Sequence, residues 1–332
     1  MMTNAGAEQA YAPAARQALR AFGITPAEIR FVRLSENATF RVTDARNGSH
    51  LVLRMHRPWY HDIDALRSER LWTCALIEAG VAAPEPLLTP DGQDFVQVDV
   101  PATGELRWAG LLRWVDGELL ADIVARETNP GENLRHFAEL GAIMATMHDQ
   151  ATAWTLPAGF TRHALDADGL MGESPFWGPF WDHAMLSPAE RSMLLAKREE
   201  LYGALTRYGK PTRAFSLIHA DLHPRNVVIN DVQAAVIDFD DTGFGWHQYD
   251  LAVALVAYQD HREFTAFKDA CIAGYRSVRA IADQDLALLP MFLLIRDMVQ
   301  IGWYHQRPEL PAPADLGRMK ERACTMAAQF TP

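Results

Sequence analysis

The sequence predicts an α+β chain of two lobes, a small antiparallel β-rich lobe over residues 1–115 and a larger, mainly helical lobe over 116–332. Three observations carry this. Short β-branched and apolar runs crowd the first third, separated by turn dipeptides such as Asn47-Gly48 and Asp91-Gly92. Beyond Asp116-Gly117 the apolar residues take helical spacing: Phe137, Leu140, Met144 and Met147 recur at i, i+3, i+7 and i+10. A short Val- and Ile-rich hairpin is set into that helical remainder.

Taken in order, residues 1–12 are small and polar and read as frayed. Residues 14–22 suggest a short helix that Gly23 can end. Phe31–Leu34, Thr39–Val42 and His50–Met55 read as strands, the last two joined by Asn47-Gly48. Arg67–Ala79 reads as a helix closed by Gly80 and followed by the breaker Ala83-Pro84-Glu85-Pro86. Leu111–Val115 is one more strand, and Asp116-Gly117 marks the lobe boundary. Glu132–His148 is helical, 155–182 is rich in Gly, Pro and Trp and reads as irregular, and Pro188–Thr206 is helical. After the hairpin, Tyr249–Tyr258, Glu263–Arg279 and Leu286–His305 read as helices. No internal repeat or low-complexity tract is visible.

Composition narrows the function. Of 332 residues, 49% are hydrophobic and 22% charged, ordinary values for a globular chain long enough for two cores. The net charge of −11, with no Lys/Arg cluster, disfavours nucleic acid and anionic membranes as partners. Cys74, Cys271 and Cys324 lie far apart in apolar contexts and read as reduced, buried thiols of a cytoplasmic protein. No secretory leader is visible. The longest apolar stretch, Leu286–Ile295, contains Pro290 and reads as too short to span a bilayer. Nothing in the sequence speaks to oligomeric state.

The chemistry concentrates in residues 216–242. Val227–Ile229 and Ala234–Ile237 are β-branched runs around Asn230-Asp231, so the segment reads as a hairpin. Asn226 and Asp238 are symmetric about residue 232 and are expected to meet at its open end, roughly 5 Å apart at Cα. A carboxylate and an amide oxygen together are hard ligands that suit Mg²⁺. Asp221 lies on a loop stiffened by Pro224, within reach of the same spot. His219 and His223 have a spacing that binds zinc on a helix, but Pro224 and the β-branched neighbours argue against a helix, and His219 reads as a buried scaffold residue. Asp238-Phe239-Asp240-Asp241-Thr242 also fits the nucleophile motif of haloacid-dehalogenase-type phosphatases. That reading leaves Asp221 and Asn226 without a role, and the segment that follows reads as helix.

The run His219-Ala220-Asp221-Leu222-His223-Pro224-Arg225-Asn226, with Ile237-Asp238-Phe239-Asp240 downstream, resembles the aminoglycoside phosphotransferase/choline kinase superfamily, whose fold is protein-kinase-like. The order of elements agrees over residues 24–306. Within that superfamily the chain is similar to the group holding homoserine-kinase-like enzymes and the bacterial stress-response protein kinase, helped by Met298-Val299-Gln300-Ile301-Gly302-Trp303-Tyr304-His305-Gln306-Arg307-Pro308. The resemblance implies an ATP- and Mg²⁺-dependent kinase of a small hydroxyl-bearing molecule that can carry an amine, with a protein Ser/Thr acceptor as the alternative and a catalytically silent scaffold as a remoter one. It implies Asp221 as catalytic base, and Asn226 and Asp238 as metal ligands. Arg54, where the family has a lysine, and Glu69 fall on the phosphate side. Ser35, Glu36, Asn37 and Thr39 form a glycine-free phosphate-covering loop. Arg113, Trp114 and Val115 make the adenine edge, and His223 and Arg225 lie near the phosphates. Asp250, whose residue-level reading is a helix N-cap, would brace the catalytic loop. Asp240, Asp241, Trp246, Arg296, Trp303 and Tyr304 are candidates for the acceptor site; the aromatic ones could equally be core.

Overall fold

The computed structural model describes residues 4–35, 37–126, 129–310 and 313–330. By internal packing the chain forms two units. The first comprises Met1–Gly117, Pro157–Thr161 and Asn230–Ile237; the second comprises Glu118–Leu156, Arg162–Ile229 and Asp238–Pro332.

The first unit runs α1 (Asn4–Ala21), β1 (Pro26–Leu34), β2 (Ala38–Asp44), β3 (His50–Met55), α2 (Ile63–Glu78), β4 (Pro86–Leu87), β5 (Phe95–Val100) and β6 (Glu105–Arg113). Its antiparallel sheet has the order β1-β2-β3-β6-β4, with β5 also paired to β6. Alternation along the strands sends Ala38, Phe40 and Val42 of β2, and Leu51, Leu53 and Met55 of β3, into one core with Ala7, Tyr11, Ala14, Ala18 and Leu19 of α1. The intervening residues, Thr39 and Arg54 among them, therefore occupy the opposite face.

Two expectations change here. The segment read as frayed is helical from Asn4 onward, residues 1–3 lying outside the described ones. Its small residues are the reason. Ala7, Ala14 and Ala18 let the helix lie close on the sheet, and Tyr11 anchors it, donating to Glu105 at 3.1 Å and accepting from Arg107 at 3.0 Å. The helix expected from Arg67 starts at Ile63, where Asp62 caps it by accepting the Ala65 N–H at 2.8 Å.

Onward from Gly117 the chain forms β7 (Glu118–Leu119), α3 (Leu120–Arg126), α4 (Pro130–Ala153), β8 (Ala164–Leu165), α5 (Ala167–Met171), α6 (Pro188–Tyr208), β9 (Phe215–Ile218) and β10 (Val227–Ile229). It continues through β11 (Ala234–Val236), β12 (Gly243–Trp246), α7 (His247–Leu255), α8 (Phe264–Val278), α9 (Asp283–Leu286), α10 (Leu289–His305) and α11 (Leu316–Gln329). Helices α4 and α8 form the tightest pair. A Cβ at Gly274 would lie 1.8 Å from the Ala138 carbonyl oxygen, and one at Gly141 would lie 2.0 Å from that of Cys271. Only glycine fits at either position, and Phe137 stacks on Phe267 at 4.5 Å beside them. Helix α6 begins with a capping box between Ser187 and Glu190.

The 155–182 stretch is not wholly irregular. It supplies β8, which pairs with β12, which in turn pairs antiparallel with β9. Gly243-Phe244-Gly245-Trp246 lacks β-branched residues and so gives no strand signal, yet a Cβ at Gly245 would meet Ile218 at 2.4 Å. The bland glycine is what allows β12 to lie against β9. The bilayer expectation also needs correction. Asp283–His305 is 23 residues and long and apolar enough to cross a membrane by length and composition, but 67% of its apolar window is buried inside the protein, as in a core helix. All three cysteines are free thiols; only Cys271 is fully buried, and burial pushes its thiol up to about 12.

Candidate active site

The loop that carries Asp221 leaves β9 and is fixed by a carboxylate from helix α7. Ala220 has φ 67°, a left-handed conformation that costs a non-glycine residue about 1–2 kcal/mol. Asp250 holds it there: one carboxylate oxygen accepts the Ala220 N–H at 2.7 Å, the other accepts the His219 N–H at 3.0 Å. Asp250 is fully buried in the first turn of α7. It is therefore not that helix's N-cap, because β12 runs straight into α7 and Trp246 occupies the cap position. Behind Asp250, His148 contacts its carboxylate through Nε2 at 3.1 Å and Tyr275 through Nδ1 at 3.0 Å. With Tyr275 donating, Nδ1 accepts and Nε2 carries the proton to Asp250.

This braced loop presents Asp221, whose two oxygens are both engaged. Arg296 Nη2 donates to Oδ1 at 2.5 Å, and Asn226 Nδ2 donates to Oδ2 at 3.0 Å and to the Asp221 carbonyl at 2.9 Å. His223 places Nε2 at 3.4 Å from Oδ2, while its Nδ1 accepts the Arg225 N–H and caps the single turn Pro224–Asn226. Burial alone would raise the Asp221 carboxyl, but His223, Arg296 and His219 outweigh it and hold the group well below the usual carboxylate range. His219 is buried against Phe239 and accepts the Asp221 N–H through Nδ1 at 3.2 Å. Because the Asn226 amide nitrogen faces Asp221, its oxygen is the atom left for a cation. Asp238 has φ 68°, strained for any residue but Gly and best tolerated by Asn or Asp. Among the described residues no three His, Cys, Asp or Glu side chains cluster as a metal cage.

On the sheet of the first unit, Thr39 and Arg54 are direct cross-strand neighbours, and Arg54 pairs in turn with Gly110. Glu69 lies half-buried on α2. Asn37 is buried and its side-chain oxygen accepts the Arg57 N–H at 3.1 Å, which braces the turn between β1 and β2; Ser35 donates its N–H to the Asn37 carbonyl at 3.3 Å, and Glu36 lies outside the described residues. Of the residues expected at the adenine edge, Arg113 donates its N–H to the Glu85 carbonyl at 2.8 Å and Trp114 to that of His50 at 3.0 Å. Arg113 also turns its guanidinium to Glu85 at 2.9 Å, and Trp114 lies under Arg41. Val115, just past β6, is the remaining member of that edge. Arg225 is exposed.

The acceptor candidates separate. Arg296 stands on Asp221 itself, with its guanidinium against Tyr249 at 3.3 Å and over Trp177 at 5.8 Å. Asp241 is buried within the electrostatic reach of Arg296 and Tyr249, and Asp240 is buried with its carbonyl accepting from Arg162. Tyr304 is raised by burial and by Asp315, and also feels Arg296 and Asp221. Trp303 packs on Tyr304 at 4.8 Å and under Arg307 at 4.3 Å. Trp246 does not fit the role: it is 1% exposed, wedged among Phe215, Tyr208 and Phe292, and its indole N–H donates to the Gly209 carbonyl at 2.9 Å. Sequence reasoning missed Asn226's hold on Asp221, His148, Tyr249 and Trp177. Only the apolar setting of His148 on α4 hinted at a buried polar contact.

The buried histidines give a pH expectation. His148 and His247 stack at 4.2 Å, and burial drives His148 down to about 3 and His247 well below 6.5. Asp250 is pushed the other way by burial, to about 6 against 3.8. Below pH 6.5 the unfolded chain therefore takes up protons on both histidines more readily than the folded one. Between about pH 4 and 6 the folded protein holds a proton on Asp250 that the unfolded chain lacks. The two histidines outweigh the one carboxyl, so the cluster's contribution to stability falls as pH drops from 6. Denaturant unfolding of His247→Phe is expected to lose stability less steeply than wild type below pH 6; identical slopes would count against the assignment.

An ionised carboxylate held at the end of a braced loop, with an amide oxygen and a second carboxylate nearby in sequence, defines a phosphoryl-transfer enzyme. The chain belongs to the APH phosphotransferase enzyme family, whose model matches residues 28–284. That membership overturns the phosphatase reading of Asp238–Thr242 and the silent-scaffold reading. Amicoumacin kinase of Bacillus subtilis (strain 168) is 25% identical over 314 residues, 91% of this chain and 86% of that one. The structure of the microcompartment-associated aminopropanol kinase superposes with a TM-score of 0.79 at 31% identity, over 96% of this chain and 94% of the other. Homoserine kinase of Paramagnetospirillum magneticum (strain ATCC 700264 / AMB-1) is 31% identical over 194 residues, 53% of this chain and 56% of that one. Amicoumacin kinase hAmiN, solved in complex with AMP-PNP, Ca2+ and Ami, shares the fold with a TM-score of 0.77 at 22% identity, over 96% and 93% of the two chains.

Proposed function

We propose that this chain transfers the γ-phosphoryl group of ATP, with Mg²⁺, to a hydroxyl of a small molecule that also carries an amine. The observation that carries the reading is Asp221, a carboxylate kept ionised by Arg296 and His223 and oriented by Asn226. A base held this far below the usual range takes the proton late, so its first task is to aim the acceptor oxygen at the phosphorus, as a loose transition state requires. Asn226, through its oxygen, and Asp238 would hold Mg²⁺, which uses one or two protein ligands and completes its shell with phosphates and water. Bound there, the cation would offset charge on the transferred phosphoryl group. Arg54, paired to Thr39 across the sheet, would take the α/β-phosphates bidentately, with Glu69 steadying it. The Val115 N–H would take the adenine edge. On this reading residues 1–115 would serve the nucleotide, and the remainder would serve its cation and the acceptor. ATP as donor and three free thiols suit a cytoplasmic setting.

Aminopropanol and homoserine, named in two relatives, are both amino alcohols, which supports the amine; none of the relatives described supports a protein Ser/Thr acceptor. The test is Mg²⁺-dependent ATP turnover against a panel of amino alcohols and their deaminated counterparts. Amino alcohols are expected to give the higher kcat/KM, and a panel in which plain alcohols do as well would sink the amine assignment.

A further inference from the structure

We infer that Gln300 selects the acceptor, its side-chain carbonyl taking a hydrogen bond from the acceptor's amine while the acceptor's hydroxyl lies on Asp221. This rests on the function proposed above and adds the residue that reads the amine. Helix α10 is apolar on most of its surface, with Met291, Phe292, Leu294, Ile295, Met298, Val299 and Ile301 buried. Against that background Arg296, Gln300 and Tyr304 are spaced by four and so share one face. The face starts at the catalytic base, because Arg296 is bonded to Asp221 Oδ1. Side chains on a helix lean toward its N-terminus, so Gln300 reaches back over the turn that carries Arg296.

Two atoms on this face are buried and unmatched: the acceptor oxygen Oε1 of Gln300 and the donor Nε of Arg296. A buried polar atom without a partner is destabilising, and such atoms in native proteins call for a functional account. Arg296 and Gln300 are four residues apart, about 6 Å along the helix axis, a span that suits a molecule whose amine and hydroxyl are about two or three carbons apart, with a hydrogen bond at each end. The amine, charged at neutral pH, supplies what Gln300 Oε1 lacks, and the hydroxyl oxygen approaches Asp221 beside Arg296.

The experiment compares wild type, Gln300→Leu and Gln300→Glu in ATP turnover with 1-amino-2-propanol and with 2-propanol, alongside Tm. Gln300→Leu is expected to lower the kcat/KM preference for 1-amino-2-propanol over 2-propanol by about tenfold or more, chiefly through KM. That is the worth of one hydrogen bond to a charged group. Its Tm is expected to hold or rise, since an unmatched buried oxygen is removed. Gln300→Glu is expected to sharpen the preference. An unchanged preference in both variants, or an equal loss for both alcohols with a fall in Tm, overturns the role of Gln300 and leaves the proposed function standing. A wild-type enzyme that phosphorylates no amino alcohol overturns both.

Discussion

Asp221→Ala is expected to lower kcat by roughly 10²–10⁴-fold, the usual worth of a positioned general base. ATP binding, measured by calorimetry, should change little, because Asp221 is assigned to the acceptor oxygen and the cation ligands remain. The substitution has a second consequence. Arg296 is 6% exposed and its ion pair is with Asp221, so the alanine leaves the buried guanidinium to the more distant Asp241 alone, a loss of up to about 3–5 kcal/mol. Asp221→Asn keeps the shape and an oxygen for Arg296, and separates the chemical loss from the structural one. Turnover that survives in the folded asparagine variant would remove Asp221 from the mechanism.

Asp238 should behave differently. Asp238→Ala is expected to abolish the Mg²⁺ dependence of ATP affinity along with turnover, where Asp221→Ala abolishes turnover alone. The backbone supplies an independent signature. Asp238 lies at φ 68°, and such strain persists where function demands the side chain. Asp238→Gly removes both the ligand and the strain. It is therefore expected to be inactive yet more stable than Asp238→Ala by about 1 kcal/mol in urea unfolding. An Asp238→Ala protein whose ATP affinity still responds to Mg²⁺ would withdraw the ligand assignment.

Much of this protein is legible locally. Turn chemistry at Asn47-Gly48, alternation in His50–Met55 and helical spacing in Phe137–Met147 all report on neighbours a few residues away, and those elements appear where their periods place them. The motif from His219 to Asn226, with Asp238 downstream, identifies the family for a similar reason. Its residues are close in sequence, so their spacing survives without knowledge of the rest of the fold. Where local signals are weak the reading slips. The alanine-rich start reads as frayed, and Gly243–Trp246 gives no strand signal, because small residues state no preference until something packs against them.

The sequence by itself determined the α+β class, the kinase-like order of elements and the family. Only the tertiary structure decided what surrounds them. Asp250 and His148 are 102 residues apart yet meet at 3.1 Å, and Arg296 lies 75 residues from the Asp221 it neutralises. Trp246 went to the core, while Gln300 was left with a buried, unmatched side-chain oxygen. The physical reason is range. Propensity and periodicity act over one or two turns of chain, whereas burial, charge pairing and a carboxylate's ionisation depend on groups that only folding brings together.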